Sequence, residues 1–292
     1  MAAPYEYLGW GDPQRPTSVM SATGVHDLTL AFVLSHGTCN PMWDGSRRLK
    51  GGADETAIEQ IRAAGGDVAV SFGGWSGRKL GNSCKTPNAL AAAYQKVIDA
   101  YALKAIDIDI EHTELSSAAV RKRVVGALAI VQGANQGLEI SITMPGAESG
   151  LEPAERSLVA DAAAVGLLPS AWTVMPFDFG PARTDMGHAS IAAAGALARQ
   201  LESAYHMSPA SAYGHSGISS MNGHTDEAAE TVTLEDFQTM LSFAQQNHLA
   251  RFTFWSVNRD RSCAGADNTS DSCSGVSQQP LAFSGVVAQY HG

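Results

Sequence analysis

The stretch that most constrains this chain is residues 105–111, where three acidic residues alternate with three isoleucines. On a β-strand, successive side chains point to opposite faces, so Asp107, Asp109 and Glu111 project to one side, each about 6–7 Å from the next. Three neighbouring carboxylates repel one another and cost desolvation energy when they are partly buried. A fold tolerates them mainly where they carry out chemistry or hold a metal ion.

Two other interpretations of this stretch remain open at the level of sequence. An exposed edge strand uses acidic side chains to discourage aggregation. A calcium or magnesium site is the second alternative, because carboxylates suit hard cations.

Length and composition narrow the class of protein. The 292 residues fit one large α/β barrel or two average domains. With 45% hydrophobic and 16% charged residues, the chain can build a large core and is not expected to be disordered. A net charge of −10 makes nucleic acid and anionic membrane surfaces poor partners. No apolar run reaches the roughly 18 residues that a spanning helix needs.

The first five residues do not resemble a signal peptide, and we expect that a native leader has been removed from this sequence. The four cysteines form no CxxC pair, which argues against a zinc or thioredoxin-like site. We favour the disulfides Cys39–Cys84 and Cys263–Cys273, one of three possible connectivities. That pairing would imply an oxidising compartment, whereas four free buried thiols are the alternative.

Short apolar segments alternate with alanine-rich segments along the whole chain. We predict strands at residues 5–10, 27–34, 67–74, 105–111, 138–145, 171–179, 217–222 and 252–258. We predict helices at residues 54–64, 87–101, 116–132, 153–165, 188–205 and 234–246. Eight strands alternating with helices indicate an α/β protein, a (β/α)₈ TIM barrel formed as a single domain over residues 1–292.

The position of Glu111 in this pattern favours chemistry. In such barrels the functional residues lie at the carboxyl ends of the strands, and Glu111 ends the fourth predicted strand. A closed barrel has no exposed edge, so the edge-strand interpretation does not apply to it.

Three further strand ends carry motifs that complete a recognisable set. They are Ser71-Phe72-Gly73-Gly74, Met175-Pro176-Phe177-Asp178 and Phe254-Trp255-Ser256. Together with Asp107-x-Asp109-x-Glu111, they resemble glycoside hydrolase family 18, the chitinases, in order and strand position over nearly the whole chain. The segments Met221-Asn222-Gly223 and Trp255-Ser256-Val257-Asn258-Arg259-Asp260 resemble a compact bacterial branch of that family.

Two positions depart from the family pattern. The acidic motif usually opens with an aspartate and a glycine, where this chain has Lys104 and Ala105. The family also often has a tyrosine before the sixth-strand aspartate, and here that position is Phe177. That tyrosine normally binds the acetamido group of the substrate, and Tyr213 is our candidate replacement. We therefore expect a slower rate or an altered preference.

The resemblance implies a substrate-assisted mechanism, in which the 2-acetamido group of the sugar is the nucleophile. Glu111 would act first as general acid and then as general base, with net retention. Asp109 would accept a hydrogen bond from the acetamido N–H, and Asp107 would share a proton with Asp109. Negative charge on these two aspartates is expected to raise the pKa of Glu111.

The resemblance also implies a set of substrate-binding side chains. We expect Trp255 to form the floor under the reacting sugar, while each of the others could instead be ordinary packing or a structural acid. The further candidates are Asp178, Met175, Phe32, Asn222, Trp10 and Trp75, with Trp43 as a third tryptophan that could stack on distant sugars. We read Ser71, Gly73 and Gly74 as structural support, and His112 as pointing away from Glu111 on a continuing strand.

The hypothesis from sequence is a secreted, monomeric, retaining and endo-acting chitinase that hydrolyses β-1,4 bonds between N-acetylglucosamine units. Its partners would be chitin or chitooligosaccharides, without a cofactor or a metal ion. The alternatives are an endo-β-N-acetylglucosaminidase that acts on glycoprotein glycans, and a catalytically weak chitin-binding lectin on the same fold.

Overall fold

The computed structural model describes residues 1–180, 185–227, 229–264 and 271–292. Its strands follow the predicted alternation with helices along the chain. In chain order they are β1 (Tyr5–Tyr7), β2 (Asp27–Ser35), β3 (Pro41–Trp43), β4 (Asp67–Gly73), β5 (Ala105–Asp109), β6 (Glu139–Pro145), β7 (Ala171–Met175), β8 (Ser216–Met221), β9 (Gly223–His224), β10 (Thr231–Val232) and β11 (Arg251–Trp255).

The helices pack around the strands on the outside. In chain order they are α1 (Pro16–Thr23), α2 (Ala53–Ala63), α3 (Leu80–Ser83), α4 (Pro87–Tyr101), α5 (His112–Ser116), α6 (Ala118–Ala134), α7 (Pro153–Ala164), α8 (Met186–Tyr205), α9 (Pro209–Gly214), α10 (Leu234–Gln246) and α11 (Ala282–Val287). Their starts follow the sequence: Thr86 caps α4 ahead of Pro87, and Thr233 with Asp236 forms a capping box on α10.

Eight parallel strands form a nearly closed barrel in the order β1-β2-β4-β5-β6-β7-β8-β11, which confirms the predicted (β/α)₈ architecture. Side chains close the seam between β1 and β11. The side-chain amide of Asn258 accepts from the backbone N–H of Tyr7 at 2.9 Å and donates to its carbonyl at 2.8 Å. The hydroxyl of Thr253 donates to the carbonyl of Ala3 at 2.7 Å. Asn258 therefore takes the place of a strand neighbour in the ladder.

The main hydrophobic core lies between the barrel and its helices, and the isoleucines of β5 belong to it. The inside of the barrel is polar instead of being filled by the usual branched apolar residues. Fully buried polar side chains from six strands meet there: Thr29, Ser71, Asp107, Thr143, Thr173, Arg251 and Thr253. This polar interior leads directly to the acids of β5.

Most predicted elements are confirmed, and the differences lie at the strand ends. The predicted helices at 87–101 and 234–246 match to the residue. The predicted first, fourth, sixth and eighth strands run too far, because the chain turns away from the barrel soon after the observed strands end. Backbone in the left-handed region marks two of these turns, at His112 (φ 48°) and Asp178 (φ 56°). The short elements were missed because they hold too few residues for a periodic signal.

Both predicted disulfides are present. Cys39–Cys84 ties the loop after β2 to the loop after β4, and Cys263–Cys273 closes a short loop near the carboxyl terminus. None of the helices in the described ranges is long and apolar enough to cross a membrane.

Candidate active site

The three acids of the β5 segment face the inside of the barrel or its mouth, as the alternation predicts. Asp107 and Asp109 lie on β5, whereas Ile106 and Ile108 are buried in the outer core. Glu111 lies two residues beyond the strand, in extended backbone, and only 8% of its surface is exposed. All three carboxyl groups are therefore largely removed from water.

Asp107 is completely buried and accepts four hydrogen bonds. Tyr5 Oη and Ser71 Oγ donate to one carboxylate oxygen, at 2.8 Å and 2.6 Å. Thr143 Oγ1 and a guanidinium nitrogen of Arg251 donate to the other, at 2.7 Å and 2.6 Å. A carboxylate offers about four acceptor positions, so these donors fill them all. We call these five residues the interior network.

The interior network bears on two expectations. No hydrogen bond joins Asp107 to Asp109 in the part of the chain that the structure describes, and the proton sharing between them stays a prediction. Asp107 is also unsuited to bind a calcium or magnesium ion in this arrangement, because four protein donors occupy the lone pairs of its carboxylate. Arg251 was missed because the predicted strand began one residue later; an arginine at the start of an otherwise apolar strand was the available signal.

Asp109 and Glu111 are in the opposite condition. Oδ1 of Asp109 is buried and has no hydrogen-bond partner among the described residues. Burial, with the charges of Glu111 and Asp107, raises the pKa of Asp109 well above its ordinary value. Burial also raises the pKa of Glu111 to about 7. The charge of Lys79 lowers that pKa, while Asp178 and Asp226 raise it. The predicted direction is confirmed, but burial is the leading cause, and the charges that raise this pKa belong to Asp178 and Asp226 instead of Asp107 and Asp109.

Two charged side chains near the mouth were missed by the sequence analysis. Lys79 follows β4 and is only 4% exposed, and its ammonium group donates to the carbonyls of Gly73 and Ser76. Glu114 is buried on α5 and accepts the backbone N–H of Gly81 at 2.7 Å, and burial raises its pKa to about 7. The glycine-rich loop after β4 was the signal that could have pointed to them. We call Asp109, Glu111 and Lys79 the mouth cluster.

An aromatic floor lies beside the acids. The rings of Phe32 and Trp255 stack with centroids 5.5 Å apart at an interplanar angle of 16°. Tyr5 and Tyr7 pack against Trp255 at 6.1 Å and 6.5 Å. Phe32 and Trp255 are both half-buried, so a face remains for a ligand. Met175, at the end of β7, is also half-buried.

Two predicted binding residues make contacts with the backbone. The carboxylate of Asp178 is accessible and accepts the N–H groups of Asp226 and Glu227, at 3.1 Å and 3.2 Å. Asn222 is fully buried, and its side-chain oxygen accepts the N–H of Ser256 at 3.0 Å. In this arrangement Asn222 therefore fixes the backbone that follows Trp255.

The glycines after β4 bring that strand close to the site. A Cβ atom at Gly73 would lie 2.1 Å from the carbonyl oxygen of Asp109, and one at Gly74 would lie 2.7 Å from the ring of Phe32. Both residues also have positive φ angles. This agrees with the predicted supporting role, as does the hydrogen bond from Ser71 to Asp107.

The three remaining tryptophan candidates differ in their exposure to solvent. Trp75 is 66% exposed and packs on His112 with centroids 3.7 Å apart, and Trp10 is 44% exposed against Tyr7. Trp43 is wrong as a sugar-stacking candidate, because it is fully buried and its indole N–H donates to a tyrosine hydroxyl.

Two statements about other residues also need correction. Tyr213 cannot replace the missing tyrosine, because it lies on α9, just before β8, at the end of the barrel opposite the acids. His112 does not continue the strand either, since it begins α5 with a left-handed backbone.

A cavity of about 420 Å³ adjoins Asp178. The loop between β6 and α7 forms one wall, and the segment after β7 forms the other. Its described lining is Pro145, Gly146, Ala147, Glu148, Ser149, Glu152, Glu155, Phe177, Asp178 and Phe179. It is large enough for part of an oligosaccharide.

These features define a class of protein. A barrel whose fourth strand leads to a buried carboxyl with a pKa of about 7, beside an aromatic floor and an open cavity, has the parts of a glycoside hydrolase. No protein-family model matches the chain. Comparisons with individual proteins therefore decide the family.

A probable bifunctional chitinase/lysozyme of Escherichia coli (strain K12) is 30% identical over 285 residues, which are 91% of this chain and 32% of that protein. Endochitinase 11 of Metarhizium anisopliae is 30% identical over 253 residues, which are 81% of this chain and 48% of that protein. The chain thus spans about a third to a half of the length of these relatives.

The catalytic domain of a hyperthermophilic chitinase from Pyrococcus furiosus has the same fold, with a TM-score of 0.89 and 28% identity over 99% of this chain and 93% of that one. Catalytic-site mutants of a domain of the Pyrococcus furiosus enzyme, complexed with chito-oligosaccharides, match with the same TM-score. In sequence and in fold, the chain is therefore similar to the chitinase catalytic domains of glycoside hydrolase family 18.

Proposed function

We propose that the protein is a retaining, endo-acting chitinase that hydrolyses β-1,4 bonds between N-acetylglucosamine units. The observation that carries this proposal is the carboxyl of Glu111. Burial raises the pKa of this carboxyl to about 7, and the carboxyl stands at the mouth of the barrel without a hydrogen-bond partner in the described part of the chain. A carboxylic acid that keeps its proton near neutral pH can deliver it to a glycosidic oxygen.

The reaction proceeds in two steps. In the first, Glu111 gives its proton to the leaving oxygen while the carbonyl oxygen of the substrate's 2-acetamido group forms a bond to the anomeric carbon. The glycosidic bond breaks, and the resulting oxazolinium ring carries one positive charge. In the second step, Glu111 takes a proton from water as the water oxygen attacks the same carbon and opens the ring. Two inversions give net retention.

The neighbouring side chains divide the remaining work. Asp109 accepts the acetamido N–H, which orients the carbonyl oxygen for attack and stabilises the positive charge that develops. Trp255 and Phe32 present an apolar surface beneath the reacting sugar, with Met175 at its side. Asn222 holds the backbone next to Trp255 in place.

Additional sugar units would occupy the surroundings of this centre. The cavity beside Asp178 accepts units on one side, and the exposed rings of Trp10 and Trp75 provide stacking surfaces for others. Phe177 lines the cavity where the family often has a tyrosine, so one hydrogen bond to the acetamido group is absent from that position. We expect a higher KM than that of a tyrosine-containing relative as a result.

We also propose that the chain acts outside the cell as a monomeric, single catalytic domain. The two disulfides support an oxidising compartment. Gel filtration in line with light scattering would test whether the protein is a monomer. Alkylation of free thiols in the denatured protein from its native host would test whether the two disulfides form there.

The primary test is hydrolysis of fluorogenic chitobiose and chitotriose by wild type and by Glu111→Gln. The variant keeps the size of the side chain but has no proton to donate, so kcat should fall by about 10²- to 10⁴-fold. A loss of less than about tenfold in a folded variant would show that Glu111 is not the acid. As a matched control, Glu59→Gln on the surface of α2 should keep full activity.

Further measurements decide the finer statements and the alternatives. Proton NMR of freshly released product should show the β-anomer first if the anomeric configuration is retained. A rapid fall in the viscosity of a soluble chitin derivative would support endo action. Cleavage of glycoprotein glycans in preference to chitotriose would favour the N-acetylglucosaminidase, and binding to chitin beads without cleavage would favour the lectin.

A further inference from the structure

The cavity beside Asp178 has an acidic lining. Four of its described lining residues carry carboxyl groups, and no lysine or arginine is among the described lining residues. The acids are Glu148, Glu152, Glu155 and Asp178. Carboxylates around one concave space add their fields, and the chain as a whole has a net charge of −10. The cavity therefore favours a cationic ligand over a neutral or an anionic one.

Glu155 distinguishes this lining from an ordinary acidic surface. It lies in the first turn of α7 and is only 5% exposed. Its Oε2 atom is buried and has no hydrogen-bond partner among the described residues. A buried acceptor without a donor is costly, because the water contacts that it loses on folding are not replaced. A ligand that brings a donor into the cavity would remove this cost.

The basic side chains that act on Glu155 do not supply that donor. Burial raises the pKa of Glu155, and the charge of Glu152 adds to the rise. Its own backbone N–H and the charges of Arg156 and Arg121 lower this pKa. Both guanidinium groups donate to main-chain carbonyls, and neither forms an ion pair with Glu155 in the described ranges. Glu155 is therefore influenced by positive charge at a distance, without an ionic contact.

Asp178 faces the same cavity from the segment after β7. Backbone N–H groups of Asp226 and Glu227 donate to Oδ1 of its carboxylate. Burial raises the pKa of Asp178, and the charges of Asp226 and Glu230 add to the rise. Hydrogen bonds from Thr225 and Glu227 offset this rise only in part. The two walls of the cavity thus each present a carboxyl group whose ionised form a positive charge would stabilise.

A glucosamine unit carries the group that this cavity lacks. When N-acetylglucosamine loses its acetyl group, the amine that remains takes up a proton and becomes an ammonium group with three N–H donors. Such a unit cannot occupy the reacting position, because the mechanism uses the acetamido carbonyl as the nucleophile. It has to bind at a neighbouring position. The charge of Asp178 reaches Glu111, so the cavity lies beside the reacting centre.

We propose that this cavity is a subsite for a protonated glucosamine unit, and that the enzyme prefers partly deacetylated chitin to the fully acetylated polymer. This inference rests on the proposed function. N-acetylglucosamine occupies the reacting position, and the ammonium group of a nearby glucosamine donates to Oε2 of Glu155. Glu152 and Asp178 add attraction through their charge. The rings of Phe177 and Phe179 provide an apolar surface for the sugar ring.

The first test measures binding without turnover. A glucosamine tetramer has no acetamido group, so the proposed mechanism cannot hydrolyse it. Titration calorimetry in a weakly acidic buffer should show that it binds to wild type, with an affinity that falls as salt is added. Glu155→Gln keeps the shape of the side chain but not its charge, and should weaken binding by about tenfold or more. Glu139→Gln, at the exposed start of β6 at the opposite end of the barrel, should bind as wild type does.

Glu152→Gln provides a second variant that is expected to fold. Glu152 is exposed at the start of α7, and its side chain makes no capping hydrogen bond. Its replacement removes one charge from the cavity and should weaken binding of the glucosamine tetramer by about threefold. Absence of binding to wild type, or equal affinities in wild type and the folded variants, would overturn the proposal.

The second test compares kcat/KM on soluble tetramers that are either fully acetylated or partly deacetylated. Wild type should prefer the partly deacetylated tetramers by about tenfold, and Glu155→Gln should lose this preference while its kcat/KM on the acetylated tetramer stays within about twofold. Mass spectrometry of the products should find glucosamine at one fixed position relative to the cut in wild type, and at no fixed position in the variant. An equal preference in both proteins would contradict the assignment of Glu155.

The outcomes also separate this inference from the proposed function. A wild type that cleaves chitotriose but does not bind the glucosamine tetramer refutes the role of the cavity alone. A wild type that binds the tetramer through Glu155 but cleaves nothing refutes the proposed function, and the ammonium subsite then still stands.

Discussion

Two regions along the same short segment hold acids in opposite conditions. In the interior network, Asp107 is fully buried and every acceptor position on its carboxylate has a donor. In the mouth cluster, Asp109 and Glu111 are also buried, but their carboxyl groups lack hydrogen-bond partners in the described structure and their pKa values are raised. The chemistry of the side chain is the same, so the surroundings make the difference.

The contrast assigns different work to the two regions. A carboxylate that is saturated with donors is held rigidly and has no free lone pair for a ligand, which suits a structural anchor. A buried carboxyl without donors keeps its proton and can exchange it with a substrate. Hydrogen bonds thus offset the desolvation cost of Asp107 in the interior network. In the mouth cluster this cost is not offset, and it raises the pKa values of Asp109 and Glu111.

The largest expected effect comes from breaking the interior network. Asp107→Asn leaves Arg251 as a buried cation without a counter-charge, which should lower the free energy of unfolding by about 3–5 kcal/mol. Urea denaturation followed by tryptophan fluorescence measures this. The matched control is Asp67→Asn, which removes a partly exposed partner of Arg62 and should cost no more than about 1 kcal/mol. Equal losses in both variants would contradict the contrast.

The mouth cluster should respond in the reverse manner. Asp109→Asn replaces a buried carboxyl without a partner by a neutral amide of the same shape, so stability should change by less than about 1 kcal/mol. The variant cannot ionise when the positively charged intermediate forms, and kcat should fall by about 10²-fold. Stopped assays with chitotriose and urea denaturation give the two numbers. A variant that is destabilised as strongly as Asp107→Asn would place Asp109 in the structural region.

Glu6 is a buried carboxyl without donors that lies outside the mouth cluster. It lies on β1 between two tyrosines that face the barrel interior, so its own side chain points toward the helices. It is fully buried, neither carboxyl oxygen has a hydrogen-bond partner within the described ranges, and burial raises its pKa to about 8. Glu6 lies within β1, whereas Glu111 lies beyond the carboxyl end of β5, at the mouth of the barrel. A buried carboxyl without donors is therefore a candidate for catalysis only where it faces the mouth of the barrel.

Glu6 should make stability depend on pH. The unfolded chain ionises Glu6 near its ordinary pKa of about 4.5, whereas the folded chain keeps the proton until about pH 8. The stabilising difference is complete below pH 4.5 and is lost as the pH rises through this window, by up to about 1.4 kcal/mol per pH unit. Glu6→Gln should flatten the dependence relative to wild type. Unfolding curves between about pH 5 and pH 8 test this, and identical slopes in both proteins would contradict it.

The sequence predicts the fold and the acids well because both depend on local periodicity. Alternation along residues 105–111 determines which faces the acids and the isoleucines occupy, and it holds for any strand with one polar side. The eight-fold alternation of strands and helices leads to the barrel in the same way. Both disulfides could be inferred because each cysteine lies in a loop next to a predicted element.

The sequence does not predict which side chains contact each other across the inside of the barrel. Arg251 meets Asp107 over a separation of 144 residues, and that contact depends on the register of all strands between them. The same limit explains the errors: Trp43 and Tyr213 were chosen by residue type, while their distance from the site is determined by helix and loop packing. The partner of a buried charge is a property of the closed fold.

The smallest expected effect concerns Lys79, the buried cation of the mouth cluster. Its charge lowers the pKa of Glu111 against the effect of burial. In Lys79→Met that pKa should rise, so Glu111 keeps its proton to higher pH and the alkaline limb of kcat/KM should move up by about half to one pH unit. Lys96→Met on α4 removes the same charge from the surface and should leave the limb in place. An alkaline limb that stays fixed or moves down in Lys79→Met would contradict this prediction. The charge of Lys79 would then have no effect on the pKa of Glu111.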